Sequence, residues 1–262
     1  MADDGTHDLP DLPAENDALW QRMRGLTAAR IGLKRAGASV ATEPLLAFAL
    51  AHARARDAVH MPLDETRLTN DLDKLDLPVL TVASAAEDRA RYLMRPDLGR
   101  VLSAGTGEVL TPHRGNYDLA FVVTDGLSAR AAQTHAKPLL DSLIPSLRDK
   151  GWRIAPLVIV RHGRVGIGDP IATALGTSCV AVLIGERPGL TAPDSMGAYL
   201  TWQPQSGTTD ADRNCLSNIH LDGLSYTDAA FRLAHLLNAM RTRRISGVQL
   251  KDDSDQLLIG EN

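Results

Sequence analysis

Gly166, Gly168 and Glu186 are the residues whose types and spacing most suggest ligand chemistry. The glycines follow an apolar run at 155–160, and Glu186 lies about twenty residues further on. In dinucleotide-binding folds such glycines let the backbone approach a pyrophosphate, and the later carboxylate binds a ribose hydroxyl. The third glycine of that pattern is replaced by Ile171, so the motif is weak. A stand-alone nicotinamide-dependent enzyme therefore remains an alternative from these residues.

The cysteines and histidines form no recognisable reactive or metal-binding motif. Cys215 has no basic neighbour in sequence that would stabilise a thiolate, so a structural thiol is the simpler interpretation. The histidines at 113, 135, 162 and 220 lack the spacing of zinc sites. The residues alone predict no catalytic constellation and no metal site.

The elements that would position these residues alternate between apolar strands and helices. Strand-length apolar runs occur at 117–125, 155–160 and 179–185, with a further candidate at 198–202. Helical patterns separate them, and Ser128 and Ser225 are expected to cap two of these helices. A further helix is expected to start at Pro138. Such alternation is typical of a parallel sheet covered on both faces. We therefore predict an α/β fold in which residues 114–262 form a doubly wound domain with a mostly parallel sheet.

The first half is predicted to be helical. Residues 1–17 hold six acidic residues and no Lys or Arg, which indicates a disordered acidic arm. Residues 18–113 are expected to form a helical N-terminal domain. Its predicted elements are a basic amphipathic helix at 19–35, helices starting at Thr42 and Asp64, a short strand at 78–82, and a helix capped by Ser84 and Glu87.

Three glycine-bearing loops follow the predicted strands, at 124–128, 161–170 and 185–190. Ligands of open parallel sheets bind at the carboxyl ends of the strands, so we expect a crevice lined by these loops. Glu186 is the candidate acid of that crevice, and the Arg187-Pro188-Gly189 turn after it is expected to fix the direction of its carboxylate. The alternative is that the glycines only turn the chain and Glu186 is a solvated loop carboxylate.

Composition excludes several classes of partner. Aromatic residues make up 4% of the chain and the net charge is −4, which argues against nucleic-acid binding. Two cysteines are too few for a disulfide framework, which favours a reducing compartment. The N-terminus has no apolar stretch and no apolar run is long enough to span a bilayer. These observations predict a soluble, cytoplasmic protein with no membrane partner.

Several stretches, in this order, resemble the small (light) subunit of ethanolamine ammonia-lyase. They are LTAARIGLKRAGAS (26–39), LAFALAHARARDAVH (46–60), RPDLGR (95–100), DLAFVVTDGLSARA (118–131), APLVIVRHGRV (155–165), IGERPGL (184–190), YLTW (199–202), DRNCLSNI (212–219) and ISGVQLKDD (245–253). The ordered combination of TDGLSA, GERPGL and DRNCLSNI is the most specific part of this resemblance.

The resemblance implies a subunit that shares its active site with a partner. That enzyme converts ethanolamine to acetaldehyde and ammonia with adenosylcobalamin, by a radical mechanism in the large subunit. The small subunit covers the cobalamin with a Rossmann-like domain. Its cofactor contacts would fall on Val165, Glu186 and Cys215, with no catalytic or metal-binding residue on this chain. Cys215 is expected to follow the last candidate strand, at 198–202. An assembly subunit that does not touch the cofactor is the alternative.

The resemblance also implies a location and a stoichiometry. Six large and six small subunits would assemble, often within a bacterial microcompartment.

Overall fold

The computed structural model of the chain describes residues 14–255. In chain order its helices and strands are α1 (Ala14–Arg24), β1 (Arg35–Ala36), β2 (Ser39–Val40), α2 (Thr42–His60), α3 (Glu65–Leu72), β3 (Val79–Ala83), α4 (Arg89–Met94), α5 (Thr106–Leu110), β4 (Tyr117–Thr124), α6 (Ala129–Asp149), β5 (Leu157–Arg161), α7 (Gly168–Leu175), β6 (Thr177–Gly185), β7 (Met196–Trp202), β8 (Arg213–Ile219) and α8 (Tyr226–Arg243).

The chain divides into two compact units, Met1–Ala53 and Arg54–Asn262. The sequence placed domain limits at 17 and 113 instead. The difference arises because β3 pairs in parallel with β5 and so belongs to the main sheet. Most of the predicted acidic arm, at 1–13, lies outside the described residues.

The basic segment at 19–35 is not one helix. The helix α1 ends at Arg24, and Gly25, a residue typical of helix C-termini, follows directly. The Arg24 guanidinium donates hydrogen bonds to the carbonyls of Ile31 and Gly32, which folds the chain back before β1. The apolar spacing that suggested a longer helix is therefore divided between a helix and a turn.

The six-stranded sheet has the order β3-β5-β4-β6-β7-β8. Its first four strands are parallel, and β7 and β8 continue it as an antiparallel meander. This confirms the predicted α/β fold with a mostly parallel sheet.

Apolar side chains cover both faces of the sheet, as expected for a doubly wound fold. Along β4, Leu119 and Phe121 point to the face covered by α3, α6 and α8. Ala120 and Val122 point to the opposite face, which is covered by α5 and α7. All four side chains are fully buried, so the uninterrupted apolar run reflects burial on both sides.

Two helix boundaries differ from the sequence prediction. A new helix was expected at Pro138, but α6 runs through this proline, because apolar residues on both sides of it pack into one core. The helix α4 is capped by Asp88 rather than Ser84. The Ser84 hydroxyl instead donates to the carbonyl of His162 at 2.7 Å.

No helix among residues 14–255 is long and apolar enough to cross a membrane.

Candidate functional site

The loops that follow β4 and β5 are joined by one buried carboxylate. Asp125 accepts a hydrogen bond from the backbone N–H of His162 at 2.8 Å, and its other oxygen lies 3.0 Å from His162 Nδ1. The Asp125 side chain is 2% exposed, so these partners replace water that it lost on folding. The Tyr92 hydroxyl of α4 donates to the carbonyl of Gly163 at 3.1 Å. The start of loop 161–170 is thus fixed from two sides.

An open cleft of about 990 Å³ lies beside this loop. Val165 forms part of its wall, together with α7 residues and Tyr199 of β7. Its remaining lining comes from the connection between β7 and β8 and from arginines at 100, 114, 164 and 213. Of the three loops expected to form a crevice, only 161–170 contributes. The loops at 124–128 and 185–190 pack on each other through the Leu127 N–H, which donates to the Gly185 carbonyl at 2.8 Å.

One ion pair builds a wall of the cleft. Arg213 donates to both carboxylate oxygens of Asp169, at 2.8 and 2.7 Å, and also to the Thr201 hydroxyl at 2.9 Å. The two ionic side chains are 3% and 13% exposed. A bidentate pair of this kind fixes α7 relative to β8 and neutralises both charges.

Glu186 lies directly after β6 with its carboxylate held by one oxygen. Oε2 accepts hydrogen bonds from the Ser195 hydroxyl at 2.7 Å and from the backbone N–H of Asn218 at 3.1 Å. Oε1 accepts none from the described residues. The predicted cause of its orientation was the Arg-Pro-Gly turn that follows, whereas the structure orients it through Ser195 and Asn218. The result is a half-buried carboxylate with one acceptor oxygen available to a ligand.

Cys215 lies within β8, not after the last strand as the sequence suggested. The strand was missed because only Arg213, Leu216 and Ile219 are buried in it, a spacing that does not alternate. In the sheet register Cys215 stands directly opposite Tyr199.

The thiol of Cys215 is not activated. Desolvation raises its pKa, the hydrogen bond with Tyr199 opposes this change, and the nearby Glu186 carboxylate raises it further. Burial likewise raises the pKa of the Tyr199 hydroxyl, and Cys215 and Glu186 add to the effect. Both groups are therefore neutral near pH 7, so Cys215 has the character of a small polar surface rather than a nucleophile.

Tyr199 lies close to all three residues that were predicted to contact the cofactor. It lines the cleft with Val165, stands opposite Cys215, and is close enough to Glu186 for that charge to act on its pKa. Glu186 and Cys215 themselves do not line the cleft. Sequence reasoning named Tyr199 only as part of YLTW. The signal that could have singled it out is the alternation along β7, which places Tyr199 on the same face as Gly197.

Among residues 14–255, no group of three or more His, Cys, Asp or Glu side chains could hold a metal ion.

Comparison with known sequences identifies a family of similar proteins. A family model described as the ethanolamine ammonia-lyase light chain matches residues 17–251. The chain is 50% identical over 251 residues to an ethanolamine ammonia-lyase small subunit of Azotobacter vinelandii, covering 94% of this chain and 93% of that protein.

Relatives of the same description are similar over nearly their full length. One from Pseudomonas aeruginosa is 48% identical over 258 residues, covering 97% of this chain and 94% of the relative. One from Ralstonia nicotianae is 46% identical over 260 residues, with coverage of 98% and 96%.

Proposed function

The chain belongs to the ethanolamine ammonia-lyase light-chain family, and we propose that it is the small subunit of an adenosylcobalamin-dependent ethanolamine ammonia-lyase. The assembled enzyme converts ethanolamine to acetaldehyde and ammonia. Adenosylcobalamin, when bound, supplies the radical chemistry of that reaction. This chain contributes contacts to the cofactor and leaves the substrate chemistry to the large subunit.

The free oxygen of Glu186 is the observation that carries the proposal. A corrin ring bears amide side chains on its rim, and their N–H groups need acceptors when water is excluded. Glu186 Oε1 is such an acceptor, and Oε2 is already committed to Ser195 and Asn218, so the carboxylate cannot turn freely. A charged acceptor of this kind contributes about 1.5–3 kcal/mol.

Gly197 leaves room for the Glu186 carboxylate and the Tyr199 ring to pack against the buried backbone of β7. A Cβ atom at this position would lie 3.0 Å from Glu186 Oε1 and 3.2 Å from Tyr199 Cε2. The missing side chain at Gly197 therefore lets Glu186 and Tyr199 lie close together. The neutral Cys215 thiol and the apolar Val165 side chain are compatible with the same ligand, because neither adds a charge that cobalamin would have to desolvate.

The first compact unit supplies the proposed docking surface for the large subunit. It exposes several large apolar side chains, among them Leu26 at 88%, Leu46 at 63% and Leu45 at 56%. Soluble monomers rarely leave so many apolar residues uncovered within one short segment. Arginines at 22, 24, 30 and 35 accompany them, and arginine is enriched at protein interfaces. We propose six large and six small subunits in a bacterial microcompartment, on the basis of the family resemblance.

Reconstitution tests the proposal. The chain alone should release no acetaldehyde from ethanolamine and adenosylcobalamin, whereas mixing it with the large subunit should restore turnover. Turnover by the isolated chain would show that it carries its own active site. Titration with NADH provides the comparison for the nicotinamide alternative: saturable binding of NADH, with no binding of adenosylcobalamin to the complex, would favour that alternative.

A further inference from the structure

The cleft beside Val165 carries positive charge that no carboxylate of the described residues neutralises. Four arginines and two aspartates line it, and Arg213 already faces both aspartates, Asp169 at 2.7 Å and Asp210 at 4.0 Å. Arg100, Arg114 and Arg164 have no acidic partner in the structure between residues 14 and 255. An unpaired cluster of guanidinium groups in a concave surface attracts an anion.

Arg164 is held by contacts that leave its charge uncompensated. Its backbone N–H donates to the Gly99 carbonyl at 2.7 Å, and its guanidinium lies over the Tyr92 ring at 4.2 Å from the centroid. Nη2 donates to the Tyr92 carbonyl at 3.3 Å, while Nε is buried and makes no hydrogen bond with a described residue. Gly99 permits this approach, because a Cβ there would lie 2.7 Å from Arg164 Cγ.

Arg100 and Arg114 approach the cleft from two other segments. Arg100 follows Gly99, and its side chain passes Gly166, where an added Cβ would lie 3.4 Å from Arg100 Cγ. Arg114 donates from Nη1 to the carbonyls of Thr173 at 2.9 Å and Ala174 at 3.4 Å, near the end of α7. Both side chains belong to exposed residues, so they can bind a ligand without breaking an ion pair.

The chemistry of the lining suits an anion such as a phosphate attached to an apolar group. Guanidinium groups bind phosphate with paired, charge-assisted hydrogen bonds. Beside them Val165, Pro170 and Tyr199 offer apolar and aromatic surface to the same cleft. The ligand should therefore carry an anionic group and a flat or apolar part close together.

We propose that this cleft binds the phosphodiester of the cofactor's nucleotide tail, through Arg100, Arg114 and Arg164. The inference rests on the proposed function. A cobalamin carries one phosphodiester between its corrin ring and an aromatic base. Its phosphate can therefore bind the arginines while its aromatic base packs on the apolar part of the lining. Glu186 and Cys215 then contact the ring, and Tyr199 marks the junction between ring and tail.

The experiment compares two corrinoids on the complex reconstituted with the large subunit. Adenosylcobinamide lacks the nucleotide tail and its phosphate, whereas adenosylcobalamin has both. The double variant Arg100→Gln/Arg114→Gln should bind adenosylcobalamin about tenfold or more weakly than the parent, as expected for lost charged hydrogen bonds. Its affinity for adenosylcobinamide should stay within about twofold of the parent, because that ligand does not reach these arginines. Arg91→Gln, an exposed arginine outside the cleft, is the matched control.

Each other outcome overturns the inference in a distinct way. Equal weakening of both corrinoids would mean that the arginines act through the fold or the ring contact. Unchanged binding of both would exclude them from the cofactor site. If inorganic phosphate binds the parent and not the double variant while cobalamin affinity is unchanged, the cleft is a separate phosphate site. Failure of the parent complex to bind either corrinoid would instead refute the proposed function.

Discussion

The Arg89 guanidinium lies 3.4 Å from the buried Asp125 carboxylate and donates to the Gly126 carbonyl at 2.7 Å. The same side chain donates from Nε to the Val59 carbonyl at the end of α2, also at 2.7 Å. Burial lowers the pKa of Arg89, and the Asp125 charge opposes that change. One side chain therefore ties α2 and α4 to the loop that follows β4.

Arg89→Ala should destabilise the fold strongly. Removing one partner of a buried ion pair leaves the other charge desolvated, so we expect a loss of about 3 kcal/mol or more in the free energy of unfolding. Arg95→Ala, which breaks an exposed pair with Asp97, should leave the urea midpoint close to that of the parent. Urea denaturation of both variants measures the difference. Similar urea midpoints for the two variants would mean that the contacts of Arg89 do not stabilise the fold.

Glu186→Ala should raise the apparent dissociation constant of adenosylcobalamin by about tenfold or more. Glu186→Gln retains an acceptor oxygen and should weaken binding less. Val165→Ala should have a smaller effect than Glu186→Ala, because the valine side chain offers only shape. Equilibrium binding to the reconstituted complexes measures all three, and co-purification checks that assembly survives. Unchanged affinity in Glu186→Ala would remove this residue from the site.

Gly197→Ala should reduce the free energy of cofactor binding more than it reduces the free energy of unfolding. The added methyl group would crowd Glu186 Oε1 and the Tyr199 ring, so the carboxylate must move from its present position. Gly107→Ala is the matched control, since a Cβ there meets nothing within 4 Å. Binding and urea denaturation should be measured on the same preparations. A loss of stability as large as the loss of binding energy would contradict the expected separation.

The thiol of Cys215 should react slowly with iodoacetamide. Its pKa is raised, so the thiolate fraction at pH 8 is smaller than that of free cysteine, and the rate should keep rising as the pH increases above 9. Cys179 is fully buried and should not compete. Mass spectrometry of the parent and of Cys215→Ser assigns the modified residue. Alkylation as fast as that of free cysteine at pH 8 would indicate an activated thiol.

Charge placed on the exposed apolar surface of the first unit should impair assembly. Leu26→Asp combined with Leu46→Asp puts two carboxylates where the large subunit is proposed to pack, and co-purification should fall. Val248→Asp, at a residue 77% exposed in the second unit, should leave assembly unchanged. If the control disrupts assembly and the double variant does not, the docking surface lies on the other unit.

The parallel strands could be predicted because burial on both faces requires uninterrupted apolar runs, as in β4 and β6. The edge strand β8 could not, since RNCLSNI has neither such a run nor alternation. The continuity of α6 across Pro138 depends on packing against the core, which no local pattern expresses.

Sequence reasoning could predict only those site residues that belong to a single short motif or strand end. Glu186 could be placed at a strand end, and the motifs supplied Val165 and Cys215, whose roles stay predictions. Arg100, Arg114 and Arg164 are far apart in the chain, and only the packing of Gly99 on the loop after β5 brings two of them together.

Because one end of the sheet is antiparallel, the surface proposed for the corrin ring and the arginine cleft are expected to form at different stages of folding. Glu186, Tyr199 and Cys215 lie on a meander of consecutive strands, so their contacts close short loops and can form early. The arginine cleft requires segments separated by helical crossovers, whose closure costs more chain entropy. When the full chain refolds from denaturant, we therefore expect the surface proposed for the corrin ring to form before the one proposed for the nucleotide tail.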